Sequence, residues 1–187
     1  MGRFILLLIG LIIVIDTNAQ SLSRQQLRTQ YLQSTLRKTA LDSFIATLES
    51  NPNRTPAEES YLGICTAMLT RHTAGMWGKY RLVVSAKDRL NSAIARDAQD
   101  PEFRFMRFML EHHLPAFLCM STHLSSDLAV VLANGSSFME ENIDLKKMAI
   151  EFLIKTKRCD KMQVAVLEKT LVEITAKKNS IAQAAIR

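Results

Sequence analysis

The spacing of apolar residues beyond the first twenty positions limits this chain to helices. Apolar side chains recur at intervals of three and four residues, and no stretch alternates with period two for long enough to form a convincing strand. Side chains spaced in this way share one face of an α-helix. Each of the four prolines falls where a helix could begin or end. The pattern therefore predicts an all-α protein.

The stretch DPEFRFMRFMLEHHLPAF, residues 100–117, predicts the central helix of that protein. Arg104, Arg107 and Glu111 fall on a single strip roughly 60° wide when the residues are placed 100° apart. Almost all of the remaining helix surface is apolar. Such a helix is surrounded by protein on most sides, and its charges interrupt the apolar run too often for a membrane span.

Apolar stripes, together with capping residues and prolines, place helix starts near residues 39, 56, 77, 101, 124, 144 and 160. Two helices for roughly every 40 residues, joined by short turns, are typical of stacked helical hairpins. We predict a single domain of about six helices over residues 39–178. A polar lead-in or frayed helix, residues 20–38, precedes it, and a flexible tail, residues 179–187, follows.

The first 19 residues have the three parts of a secretory signal peptide. Arg3 supplies a basic start, an apolar run follows to Ile15, and Ala19 ends a small-residue cleavage site. Twelve apolar residues reach only ~18 Å, short of a ~30 Å hydrocarbon core, so removal is favoured over anchoring. The sequence predicts an exported protein, periplasmic or secreted, with no stable membrane insertion after cleavage.

Charge gives little support for a nucleic-acid partner. The chain carries a net charge of +6, but its lysines and arginines are spread along its length, with no run interleaved with exposed aromatic residues. A solvated basic surface is the simpler interpretation, and we expect no nucleic-acid partner.

One junction resembles a tetratricopeptide repeat. In LNSAIARDAQDPEFRFMRFML, residues 90–110, the pattern of that repeat is matched by Leu90, Ala93, Ile94, Asp97 and Pro101. No second copy follows at a 34-residue interval, so a regular array is not indicated. The resemblance implies stacked helical hairpins, an α-α superhelix that is tetratricopeptide-like in its middle.

A wider resemblance covers residues 44–159. SYLGICTAML, AIARDAQDPEFRFMRFMLEHHLPAFL and LKKMAIEFLIK match, in order and spacing, a family of uncharacterised exported helical proteins from bacteria. Its most specific element is Arg104-Phe105-x-Arg107-Phe108. The resemblance implies the all-helical fold and the exported location, and it offers no activity.

Histidines supply the best metal candidate, Glu111 with His112, His113 and His123. Adjacent histidines on a helix point about 100° apart and do not easily share an ion, and the zinc-binding H-E-x-x-H spacing is absent. Capping of a helix C-terminus by histidine is the simpler interpretation. No nucleophile motif or phosphate-binding loop is present either. We therefore predict no catalytic residues, no metal site, no cofactor and no enzymatic activity.

The predicted partner-binding residues are Arg104, Arg107, Trp77 and Tyr80. The two arginines lie one helical turn apart. They could bind a carboxylate or phosphate of a partner in a groove, or they could form salt bridges with acidic residues on a neighbouring helix. Met68, Trp77, Tyr80 and the aromatic cluster of residues 103–117 either line an apolar pocket or pack in the core.

The cysteines Cys65, Cys119 and Cys159 permit one disulfide and a free thiol, or three thiols. Their pairing is left open by the sequence.

These observations favour a binding function. A stack of helices offers an extended concave face, so we predict a protein- or peptide-binding scaffold or adaptor with an unidentified partner in the cell envelope. The alternative is a carrier of small molecules or lipids, with a pocket walled by the aromatic cluster.

Overall fold

The computed structural model describes residues 21–135 and 139–184. These residues form eight α-helices and contain no strand, which confirms the all-α prediction. The predicted signal peptide, residues 1–19, lies outside the described residues. The helices are α1 Arg24–Leu36, α2 Lys38–Glu49, α3 Pro56–Met68, α4 Met76–Arg96, α5 Pro101–His112, α6 Leu124–Ala133, α7 Ile143–Lys155 and α8 Lys161–Ala184. Short 3-10 helices follow α3 at Leu69–His72 and α5 at Ala116–Leu118.

Helices α2 to α8 each begin within one residue of a predicted start. Side-chain caps explain the agreement for α3 and α5. Thr55 accepts a hydrogen bond from the backbone N–H of Glu58, whose carboxylate reaches back to the backbone of Thr55. Asp100 accepts hydrogen bonds from the N–H groups of residues 102 and 103 at the start of α5. Both caps are local in sequence, so the sequence alone locates them.

The number of helices and the limits of the helical region differ from the prediction. Residues 20–38 contain a packed helix, α1, which begins with a capping box between Ser23 and Gln26 and buries Leu27 and Tyr31. Helix α8 continues to Ala184. The helical region is therefore longer than residues 39–178 at both ends, and it holds eight helices where about six were expected.

Consecutive helices pair as hairpins. The closest packing occurs between α1 and α2, α3 and α4, α5 and α6, and α7 and α8. Helix α3 also touches α1, α2 and α5, and so joins three of the hairpins. The tetratricopeptide-like stacking of these hairpins stays a prediction. None of the helices in the described ranges is both long enough and apolar enough to cross a bilayer.

Helix α5 lies at the centre of the packing, as predicted. Five of its large apolar side chains are at most 6% exposed, and they are Phe103, Phe105, Met106, Phe108 and Leu110. It packs against α3, α4 and α6. Edge-to-face contacts with Phe152, at 5.9 Å from Phe105 and 6.2 Å from Phe108, join it to α7.

Three charged side chains of α5 are also covered. Glu102, Arg107 and Glu111 are at most 5% exposed, and each has charged partners on other elements. Glu102 accepts hydrogen bonds from Arg28 of α1 at 3.0 and 3.1 Å and from the hydroxyl of Tyr61. Buried charges need such partners, because an unpaired charge in a protein interior is very costly. These charged residues therefore connect neighbouring helices to the central helix.

Candidate binding pocket

A large open pocket lies where α3, α4 and the C-terminal end of α5 meet. Its volume is about 990 Å³, which is at the upper end of the range for pockets that bury a small ligand. Its floor includes Ile64, Met68 and Leu110, which are also members of the core and at most 8% exposed. The pocket therefore reaches from the surface down to the hydrophobic core.

Large apolar side chains stand around the mouth of this pocket. Met76, Trp77 and Phe117 are 78%, 80% and 76% exposed, and Tyr80 is 41% exposed. The rings of Trp77 and Tyr80 meet edge to face with 6.2 Å between their centroids. We call these four residues the rim. Exposed apolar clusters bordered by polar residues mark interaction sites on soluble proteins.

Gly75 sets the direction in which α4 begins beside the pocket. Its φ of 78° lies in the left-handed region, which glycine adopts without steric cost. Met76 and Trp77 follow immediately, so this turn presents both side chains at the mouth.

The hydroxyl of Tyr31 is a polar group in the pocket wall. Tyr31 is 5% exposed, and its hydroxyl forms no hydrogen bond with any residue that the structure describes. Burial raises the pKa of Tyr31 above its ordinary value of 10, Cys65 raises it further, and the cation of Arg71 partly opposes the increase. Arg71 and Tyr31 both line the pocket. The hydroxyl is therefore available to bond to an occupant of the pocket.

The charges that line the pocket are positive. Arg71 and Lys79 belong to the lining together with His113, whereas the lining contains neither aspartate nor glutamate. Within the described residues, Arg71 and Lys79 form no ion pair. The pocket is therefore apolar inside and basic at its edge.

The connection between α5 and α6 forms one wall of the pocket. Glu111 holds the end of this connection that leads into α6. The carboxylate of Glu111 accepts hydrogen bonds from the backbone N–H of His123 at 2.7 Å and from its Nδ1 at 2.8 Å. It also pairs with Lys87 Nζ of α4 at 3.2 Å, and Lys87 donates to the carbonyl of Met120. The Ser121 hydroxyl donates to the Glu111 carbonyl at 2.7 Å. These bonds hold the wall against α4 and α5.

Glu111 is ionised in this arrangement. Burial raises the pKa of Glu111, but hydrogen bonds from His123 and Lys87 lower it by more, so its pKa lies below the ordinary 4.5. A carboxylate fully engaged in this way acts as a structural acceptor.

Arg104 and Arg107, two of the predicted partner-binding residues, lie outside the pocket lining. Arg107 donates two hydrogen bonds to the buried carboxylate of Asp127 at 2.7 and 2.8 Å, and Arg104 donates another at 3.0 Å. Arg107 also donates to Asn91 of α4 at 2.9 Å. These bonds join α5 to α4 and α6. The two arginines therefore pair with an acid on a neighbouring helix, which is one of the two alternatives predicted for them. Their role in partner binding stays a prediction.

The histidine pair at the end of α5 packs against α7. The rings of His112 and His113 each lie 5.5 Å from that of Phe152, and Arg158 Nε donates to His112 Nδ1 at 3.2 Å. Burial lowers the pKa of His112, and the charges of His113 and Arg158 lower it further. Residues 21–135 and 139–184 contain no group of three histidine, cysteine or acidic side chains placed to hold a metal ion.

The three cysteines are free thiols in this structure: Cys65 is buried, Cys119 exposed and Cys159 half-buried. Burial raises the pKa of Cys65 to about 12, so that thiol is neutral and packs as a small apolar side chain.

Sequence analysis identified part of this pocket. Trp77 and Tyr80 stand on its rim, and Met68 lies in its floor. The stretch 103–117 contributes both to the pocket and to the core. Its last residues line the pocket, whereas Phe103, Phe105 and Phe108 are at most 1% exposed in the core. Sequence reasoning missed Tyr31, Arg71 and Met76. Met76 was detectable as the neighbour of Trp77, but Tyr31 and Arg71 reach the pocket through folding of distant segments.

Comparisons with protein families, curated proteins and solved structures found no match to this chain. The resemblance to a family of exported helical proteins therefore stays a prediction.

Proposed function

We propose that this protein is an exported helical module that binds a protein or peptide partner through the pocket and its rim, and that it has no catalytic activity. The observation that carries the proposal is the exposure of Met76, Trp77 and Phe117 around an apolar recess. In protein interfaces a few residues carry most of the binding energy, and tryptophan and tyrosine are over-represented among them.

The shape of the site supports a partner that inserts side chains. Residues that dominate binding occupy well-packed pockets from which water is excluded, with a surrounding ring of weaker contacts. Here the apolar floor would receive such side chains, and the large residues of the rim would pack around them.

The proposed architecture and location are consistent with this role. Stacked hairpins with a tetratricopeptide-like middle present concave faces between neighbouring helices. The predicted leader sequence supports a partner in the cell envelope or outside the cell.

Site-specific photo-crosslinking in cells that make the protein tests the proposal. A photoreactive phenylalanine analogue replaces Phe117 in one variant and Met162 in another. Met162 is the matched control, because it is 81% exposed but lies on α8, away from the pocket. We expect a discrete protein adduct from position 117 and none from position 162. Equal adduct patterns from both positions, or no protein adduct at 117, would contradict a binding site at the rim.

A carrier of small apolar molecules or lipids is the second candidate. The observation in its favour is the pocket volume of about 990 Å³ above an apolar floor. Extraction and mass spectrometry of the purified protein tests it, with Ala67→Trp as a variant that fills the pocket. A defined amphiphile present in the wild type and lost from the variant supports the carrier, and absence of such a molecule from both excludes stable carriage.

A further inference from the structure

We propose that the partner segment is acidic, with bulky apolar side chains that enter the pocket and carboxylates that meet Arg71 and Lys79 at its edge. This inference rests on the proposed function, and it specifies the chemistry of the partner.

Charge complementarity is the first argument. Arg71 stands on the 3-10 helix Leu69–His72 and Lys79 on α4, and neither has an acidic partner within the described residues. Both side chains are exposed, whereas the part-buried cations nearby are already paired: Arg54 and Arg89 share Glu59, and Lys87 pairs with Glu111. Unpaired cations beside an apolar recess attract a partner of opposite charge and repel a basic one.

The hydroxyl of Tyr31 is the second argument. It lies in the wall of the pocket and has no hydrogen-bond partner among the described residues, so it is available to an occupant of the pocket. A hydroxyl can donate to a carboxylate or carbonyl oxygen, and the cation of Arg71 is close by. A partner's acidic side chain next to an apolar one in the recess could accept a hydrogen bond from Tyr31 and pair with the cation of Arg71.

The shape favours a peptide over a membrane surface or a fatty acid. A flat bilayer would touch the rim but leave a recess of about 990 Å³ unfilled. A fatty acid carries one carboxylate, whereas Arg71 and Lys79 stand on separate elements and can each bind a carboxylate. An acidic peptide supplies several carboxylates together with apolar side chains.

Selection from a random twelve-residue peptide library on the purified protein provides the probes. We expect the enriched peptides to combine bulky apolar residues with net negative charge. The same selection on an Arg71→Met, Lys79→Met double variant should lose the acidic preference. Lys169→Met with Lys177→Met is the matched control, because both lysines are exposed on α8 and outside the pocket, and it should retain the preference.

Fluorescence then measures affinity, because Trp77 is the sole tryptophan of the chain and stands on the rim. An enriched peptide should shift the Trp77 emission to shorter wavelength as it covers the ring. Replacing its Asp and Glu by Asn and Gln should weaken binding about tenfold, roughly 1.4 kcal/mol. That difference should disappear in the Arg71→Met, Lys79→Met variant, and Tyr31→Phe should weaken binding of the acidic peptide more than that of its amide form.

The outcomes separate the inference from the proposed function. Peptides that bind at Trp77 without acidic preference would overturn the inference and leave the binding module intact. If no peptide is enriched relative to a Phe117→Ser, Tyr80→Ser variant, both ideas fail. A Trp77 shift with phosphatidylglycerol vesicles or palmitate, in the absence of peptide binding, would replace both with a lipid-directed role.

Discussion

At the scale of residues, buried acids with their cations connect the helices. Glu102, Glu111 and Asp127 are each at most 2% exposed and accept hydrogen bonds from two or more groups. Each acid joins at least two elements, so the loss of one carboxylate leaves cations without partners in the interior.

Replacement of Asp127 by asparagine should be strongly destabilising. The guanidinium groups of Arg104 and Arg107 would lose their counter-charge in a buried position, at a cost of about 3–5 kcal/mol in the free energy of unfolding. Asp42→Asn is the control, because the Lys38–Asp42 pair is about half exposed on both sides and should cost under about 1 kcal/mol. Urea denaturation measures both values, and a similar cost for the two variants would rule out a special role for Asp127.

Glu111 should make stability depend on pH in acid. Its pKa is lowered in the folded state, so the ionised carboxylate stabilises the fold above its ordinary pKa of 4.5. This stabilisation is lost as the pH falls through the lower, folded-state pKa. We expect the free energy of unfolding to fall below about pH 4.5, and to fall less in Glu111→Gln. Denaturation at neutral and acidic pH tests this, and an identical loss in both proteins would contradict the assignment.

Two phenylalanines provide a matched pair for the core. Phe108 is fully buried, and Phe108→Ala should cost about 3–5 kcal/mol in the free energy of unfolding. Phe117 is 76% exposed, and Phe117→Ala should change stability by no more than about 0.5 kcal/mol. Urea denaturation compares them. A loss below about 1 kcal/mol for Phe108→Ala would place α5 outside the core.

At the scale of elements, close approach fixes how α3 meets α4. A Cβ atom on Gly63 would lie 3.0 Å from Leu90 Cγ, 3.1 Å from the Ala86 carbonyl oxygen and 3.2 Å from Arg89 Cβ. The glycine therefore lets two helices pack more closely than a larger residue would allow.

Gly63→Ala should destabilise the protein by about 1–3 kcal/mol, although alanine is the better helix former. Gly78→Ala is the control, because its added Cβ would meet only the Thr73 methyl group, a side-chain end that can move. The control should cost less than Gly63→Ala in thermal denaturation. If Gly63→Ala raises the melting temperature, the packing of α3 on α4 is looser than described.

The elements also show how far the sequence predicts the structure. Helices α3, α5, α7 and α8 were predictable because each has a local side-chain cap and an apolar stripe. Helices α2, α4 and α6 have no side-chain cap and were predictable from the spacing of their apolar residues. Helix α1 was not predicted as a packed helix, because its many Gln, Ser and Thr residues are also typical of a flexible segment before a domain. It is held by partners far along the chain, with Arg24 and Arg28 on Glu102 and the Leu22 N–H on Glu58. Long-range pairing of this kind leaves no local signal in a single sequence.

The pocket was predictable only in part, for the same reason. An exposed Trp77 on a helix face could be recognised, but the recess depends on α1, α3, α4 and α5 meeting at one place. The salt bridges of Arg104 and Arg107 likewise depend on Asp127, which lies 23 and 20 residues further along. Residue type indicates that these arginines need a partner, and only the fold identifies which one.

At the scale of the whole molecule, the hairpins share one central helix. Helix α5 contacts α3, α4 and α6 directly, α1 through Glu102 and α7 through Phe152. Its last turn also contributes to the pocket. The stability of the stack and the shape of the proposed binding site therefore depend on the same element.

Native-state hydrogen exchange tests this arrangement most directly. Amides in the most stable part of a protein exchange only through global unfolding, whereas peripheral elements open locally. The account predicts that the amides of residues 105–111 in α5 are among the slowest to exchange, with a free energy of opening equal to that of unfolding. The amides of α8, which packs chiefly on α7, should exchange faster. Exchange of the α5 amides as rapid as that of α8 would contradict the central position of this helix.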